Sequence, residues 1–159
     1  LIFNNKRIDK VVNNSKAIIK HGGNRAFYSP TSDFIQMPNK ESFKDIDNNS
    51  KEVNYYSTLL HELSHWSGHS SRLKRDLFNR FGSNAYAFEE LVAEISSGFL
   101  CTMLELVKLP TPNHAKYINN WLEVLKSDKK AIVKAFALAQ KSSDFILEFQ
   151  EKKKIKKVA

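Results

Sequence analysis

Residues Tyr55–Leu73 read YYSTLLHELSHWSGHSSRL, and inside this stretch His61, Glu62 and His65 form a His-Glu-x-x-His run. Histidines four residues apart share one face of a helix, so both imidazoles can reach a single cation. Glu62 is one position on, about a quarter-turn round the axis. There it is badly placed as a third ligand and well placed as a base for a water on the ion. The reading requires a helix, and the flanks predict one. Asn48, Asn49 and Ser50 offer an N-cap, Glu52 falls in the first turn, and Val53, Tyr56, Leu60 and Leu63 keep helical spacing. A glycine–serine break from Ser67 to Ser71 closes it.

Two histidines leave the site incomplete, because a catalytic zinc usually has three protein ligands and one open position. One known extension of the motif places a histidine at position 71, where this chain has Ser71. His69 would share the face of His65 only if the helix continued through Gly68, against glycine's poor helix propensity. A second helix is the other source. FEELVAEISSGF, residues 88–99, carries Glu89, Glu90 and Glu94. Glu90 and Glu94 lie one turn apart on a face that is otherwise apolar, where a carboxylate is costly unless paired or metal-bound. Glu90 is read as the ligand and Glu94 as the acceptor for a ligand histidine's distal N–H. An exchange of those two roles is the alternative, and Glu89 is expected to face solvent. A hydrolase also needs a group for the oxyanion. Tyr55, Tyr56, His69, Arg72 and Tyr86 are the nearby candidates, with His69 and Arg72 preferred because they follow the motif directly.

The rest of the chain sets the frame. It has 159 residues, 42% hydrophobic and 26% charged, which suits one domain with its own core. One cysteine, Cys101, excludes an internal disulfide framework and a four-cysteine zinc site. It agrees with a reducing, cytoplasmic setting. No apolar run approaches the roughly 20 residues of a membrane helix, and no signal peptide is visible. The chain opens on Leu1, which suggests a piece of a longer protein. The net charge is +8, half of it from the tail EKKKIKKVA, residues 151–159. That tail can touch phosphates without sequence preference, whereas the positive sign argues against mimicry of DNA.

Ahead of the motif, RIDKVV predicts a short helix, and AIIKH, RAFYS and DFIQM predict three short strands. Tight links between them suggest an antiparallel meander, with DFIQM as an edge along which an extended substrate could pair. Behind the motif, Ser83 or Asn84 caps the glutamate helix, which Pro110 ends. Thr111–Pro112 opens a third helix, and Ser127 or Asp128 caps a fourth. Trp66 and Trp121 read as packing residues, His21 as a surface turn, and His114 as solvated. Strands first and helices after make an α+β fold, with about three strands on four or more helices. Residues 1–150 form the domain and 151–159 the basic tail.

HGGNRAFYSPTSDFIQMP, YYSTLLHELSHWSGHSSRL, AYAFEELVAEISSGFLC and YINNWLEVLKSDKKAIVKAFALAQKSSDF together resemble the zincin-like domain of ArdC-type antirestriction proteins. Related domains occur in plasmid primase-like and phage polyvalent proteins. The resemblance runs from about His21 to Phe145. It implies a metallopeptidase-like fold with one Zn2+ on His61, His65 and Glu90, and carriage by plasmids, phages and integrated elements. Full-length members look like a single-strand-DNA-binding domain joined to this one. Contact with DNA through such a domain is therefore an expectation for the longer protein and not for this chain.

Overall fold

The computed structural model describes residues 3–80, 83–109 and 114–151, with the backbone alone for residues 114–118 and 120. Five helices and three strands succeed one another as α1 (Lys6–Ser15), β1 (Ile18–His21), β2 (Phe27–Ser29), β3 (Phe34–Met37), α2 (Lys51–Ser67), α3 (Asn84–Met103), α4 (His114–Ser127) and α5 (Ala131–Leu147). Local chemistry sets several of the starts. The side chains of Asn5, Ser50 and Ser83 accept from the backbone N–H groups of Ile8, Val53 and Tyr86, so α1, α2 and α3 each open on a side-chain cap. The cap of α5 differs from expectation. That helix starts at Ala131, and Asp128 acts one turn earlier, its carboxylate accepting from Lys130 N and its carbonyl from Ala131 N.

The sheet is mixed, in the order β1-β3-β2, which corrects the expected antiparallel meander. β1 pairs with β3 in parallel, Ile19 opposite Ile35, whereas β2 pairs with β3 in antiparallel fashion, Tyr28 opposite Ile35. Burial explains the order. Ile35 and Met37 are fully buried, while β1 and β2 carry no buried residue, so the most apolar strand takes the middle. The chain between β1 and β2 passes the Met37 end of β3, where Gly22 N donates to Met37 O and Gln36 Nε2 to Gly22 O. Gly22 and Gly23 adopt φ of +136° and +66° in that link, a backbone region that favours glycine. β3 is thus no free edge. Among the described residues β1 and β2 are both edge strands of this sheet.

The main core lies between α1, the sheet, α2, the end of α3 and α5. It contains Ile8, Val11, Ile35, Met37, Tyr56, Leu60, Leu63, Leu100 and Ile146, all fully buried. Tyr56 ties its layers together, since its hydroxyl bonds Asn5 N, the Asp9 carboxylate and Lys40 Nζ. Trp66 is buried as expected and packs against Phe145 and Phe149. α3 packs against both α2 and α5, and α4 packs on it through Ala87, Phe88 and Val124.

Where α2, α3 and α5 cross, the contact is small and polar. Ser64, Ser67, Ser96 and Ser142 are fully buried. Their hydroxyls form a chain, Ser64–Ser96 at 3.0 Å, Ser96–Ser142 at 2.9 Å and Ser142–Ser67 at 2.8 Å. Small side chains let the helices approach closely, and mutual bonding avoids the cost of unpaired buried hydroxyls. This crossing holds α2 and α3 in the register that brings the motif histidines opposite the α3 glutamates. α3 ends at Met103, ahead of Pro110. Pro110, the Thr111–Pro112 start, the side chain of His114 and the tail from 152 onward lie outside the described residues. Among the described residues no helix is long and apolar enough to cross a membrane.

Truncating Leu60, fully buried on α2, should cost about 2–5 kcal/mol. Equilibrium denaturation of Leu60→Ala measures it, and a loss below about 1 kcal/mol would contradict the placement of this helix in the core.

Candidate metal centre

α2 and α3 together border a cleft of about 510 Å3 that β2 and the residues beside it also line. His61, Glu62 and His65 from α2, Glu89, Glu90 and Glu94 from α3, and Arg25, Phe27 and Tyr28 around β2 all border it. The two imidazoles point the same way, their Nε2 atoms 3.2 Å apart. Glu90 closes the triangle, with one carboxylate oxygen 3.3 Å from His61 Nε2 and the other 3.1 Å from His65 Nε2. The other ring nitrogens are held from behind. His61 Nδ1 meets Glu94 at 2.9 Å and His65 Nδ1 meets Glu89 at 3.1 Å.

These partners decide the protonation pattern. A carboxylate accepts, so each Nδ1 donates, and in the neutral ring that can bind an ion each Nε2 keeps a lone pair. With both rings neutral, two lone pairs and a carboxylate would converge within 3.3 Å of one another, which is repulsive unless a positive charge, a proton or a cation, lies between them. Electrostatics shows the same demand. Burial pushes both imidazoles toward the neutral form, but bonds to Glu90 and Glu94 outweigh it at His61, holding its pKa well above the ordinary value. Burial is likewise outweighed at His65 by Glu89 and Glu90, and its pKa rises to about 9. At Glu90, bonds to both histidines overcome burial and hold the carboxyl far below its usual range. A field that retains protons so strongly also suits a divalent cation. The spacing fits one: in a tetrahedral site with bonds of about 2.0–2.1 Å, neighbouring donor atoms lie about 3.3 Å apart. Among the described residues, His61, His65 and Glu90 form a group of ligand-type side chains able to meet at one ion.

Glu62 is 8% exposed, borders the same cleft, and takes part in none of the bonds that occupy the other three glutamates. Glu89 corrects the sequence reading: it is buried, not solvated. It accepts from Arg75, whose Nε and Nη2 reach its two carboxylate oxygens at 3.0 and 2.9 Å. Burial would raise the Glu89 pKa, and the bonds from His65 and Arg75 more than reverse that. Neither Glu89 nor Arg75 carried a sequence signal of its own. Two adjacent glutamates on one helix look alike until the register of the facing helix is known.

His69 and Arg72 do not border the cleft. α2 ends at Ser67, and His69 turns its Nδ1 to Ser71. Arg72 lies over the Trp66 ring, 4.0 Å from its centre, with its nitrogens on Asp33, Tyr28 and the Trp66 carbonyl. It braces the β2–β3 turn against the end of α2, so its charge is spent on shaping the cleft wall. Of the oxyanion candidates, Tyr55 and Tyr56 are core residues, and Tyr86 borders the cleft. His21, exposed at the end of β1, bonds the Tyr55 hydroxyl at 2.8 Å.

Residues 6–138 match the family model described as zincin-like metallopeptidase. An uncharacterized protein, y4eC, of Sinorhizobium fredii is 46% identical over 128 residues, which is 80% of this chain and 40% of y4eC. A DNA primase TraC of Escherichia coli is 45% identical over 148 residues, 92% of this chain and 13% of TraC. Among solved structures, the antirestriction protein ArdC of plasmid R388 with Mn(II) bound superposes with a TM-score of 0.77 at 39% identity, over 94% of this chain and 54% of ArdC. Its metal-free form gives 0.74. The chain thus spans about half of ArdC and less than half of y4eC and TraC. With two-helix geometry, fold and family model in agreement, the chain belongs to the zincin-like metallopeptidase family.

Proposed function

We propose that the chain is a metal-dependent peptidase domain in which His61, His65 and Glu90 hold one divalent cation and Glu62 is the general base. The observation that carries this reading is the convergence of His61 Nε2, His65 Nε2 and the Glu90 carboxylate at 3.1–3.3 Å, with Glu62 on the same cleft. Zn2+ is the expected ion, and Mn(II) in the ArdC structure supports a divalent cation of this kind. When bound, such an ion supplies Lewis acidity toward water and toward a peptide carbonyl. The chain's own groups do the rest. Glu94 and Glu89 hold the imidazoles in the tautomer that presents Nε2. Glu62 takes a proton from the attacking water and later delivers it to the leaving amine. Tyr86, at the cleft margin, is the candidate for the developing oxyanion. β2, an edge strand among the described residues, offers backbone groups to an extended peptide. The antirestriction and primase names of the relatives support a role in establishing a mobile element, within a longer protein whose other parts could contact DNA.

Glu62→Gln should lower peptide hydrolysis by about 10²–10⁴-fold while leaving metal content at one ion per chain. Cleavage of a peptide library read by mass spectrometry, with metal analysis alongside, checks both. Wild-type turnover undiminished in the variant would remove Glu62 from the role. Stoichiometric metal with no turnover in either would favour the alternative, a metal-stabilised binding module.

The raised histidine pKa values give a pH prediction. A folded-state pKa above the unfolded one, near 6.5, contributes stability that is complete below about 6.5 and is lost as pH rises through the folded value, about 9 for His65. Metal-free protein should therefore lose stability between about pH 6.5 and 9. Metal affinity should rise across the same window, because the ion displaces those protons. Thermal melts with and without Zn2+ across this range test it, and a flat metal-free profile would contradict it.

A further inference from the structure

We propose that Arg75 is the positioning residue of this centre, gripping His65 through Glu89, and that residue 68 is glycine because the Arg75 guanidinium fills the place of its side chain. The proposal rests on reading His65 as a ligand.

Arg75 lies in the connection from α2 to α3, and backbone bonds from Leu73 N to Ser67 O and from Arg75 N to Gly68 O fold its first part back. Its side chain is 4% exposed. Nη2 donates to the Ser64 carbonyl at 2.7 Å and to Glu89 at 2.9 Å, Nε to Glu89 at 3.0 Å, and Nη1 to Ser67 Oγ at 3.1 Å. One planar cation therefore joins the carboxylate behind His65 to the α2 turn that carries His65. Through Ser67 it also joins the serine chain that reaches α5. Lysine could not reproduce this, since a point ammonium lacks the fork that spans three directions. The buried charge is matched by Glu89, and removing one partner alone would strand the other.

Gly68 supplies the independent observation. Its backbone is right-handed, φ −81° and ψ −5°, which any residue adopts. Space is what it lacks: a Cβ there would lie 2.8 Å from both Cζ and Nη2 of Arg75. An arginine end usually swings aside, but this one is held by Glu89, Ser64 and Ser67. A side chain at position 68 must push the guanidinium off Glu89, and so loosen His65 from outside the cleft.

Zinc affinity by chelator competition tests this on the whole chain for wild type, Gly68→Ala, Arg75→Met, both together, and Arg75→Met with Glu89→Gln. Gly68→Ala and Arg75→Met should each weaken zinc binding by about 10–100-fold. The pair should be no weaker than Arg75→Met alone, because both act through one contact. Gly68→Ala should also shift the His65 Nδ1–H proton signal. If Arg75→Met fails to fold, Gly68→Ala and the neutralised pair Arg75→Met/Glu89→Gln carry the test. Wild-type affinity in those two, or additive losses in the Gly68/Arg75 pair, would overturn the proposal while leaving the metal centre standing. A wild type that takes up no zinc would overturn the metal-centre reading, and this proposal with it.

Discussion

Three electron-pair donors aimed at one point govern this structure. His61 Nε2, His65 Nε2 and the Glu90 carboxylate crowd within 3.3 Å, and such an arrangement persists only if something positive sits among them or if the surrounding fold forces it. The protein supplies the forcing. Each imidazole is pinned from behind by a carboxylate, and each pinned ring is turned toward the same spot. The remainder of the fold serves to hold two helices in the one register that permits this.

The holding is done with buried polarity, which is expensive unless every group finds a partner. α2, α3 and α5 cross on serines whose hydroxyls bond one another instead of on a leucine seam. Glu89, which would resist ionisation in such surroundings, is kept charged by Arg75 and His65. The apolar core, centred on Tyr56, Leu60 and Leu63, lies on the other side of α2. That helix therefore has two unlike faces: one stabilises the fold, and the other presents the motif. A related division appears at the cleft wall, where Arg72 and Asp33 brace the β2–β3 turn from outside and β2 is an edge strand among the described residues.

Much of this was legible in the sequence because it depends on spacing within a single helix. The His61–His65 interval, the Ser50 and Ser83 caps and the break at Gly68 are local features, and the three strands and the helices appear where periodicity places them. Relations between distant segments were not legible. Strand order depends on which strand is buried deepest, so β3 took the centre and the expected meander became a mixed sheet. Glu89 and Glu90 are neighbours with opposite expected fates, and only the rotation of α3 against α2 shows that both turn inward. His69 and Arg72 seemed suited to the site by closeness in sequence. The chain turns after Ser67 and carries them to the outside of the cleft wall.

The family comparison and the geometry bear on different questions. Membership of the zincin-like metallopeptidases accounts for the fold, whereas the ligand set proposed for this chain stands on its own distances. A crystal structure of the zinc-loaded protein, with the ion located by anomalous scattering, tests that set most directly. The expected result is one ion about 2.0–2.2 Å from His61 Nε2, His65 Nε2 and a Glu90 oxygen, with Glu94 and Glu89 still on the Nδ1 atoms. An ion held by Glu94 or His69 in place of Glu90, or found away from the two imidazoles, would contradict it.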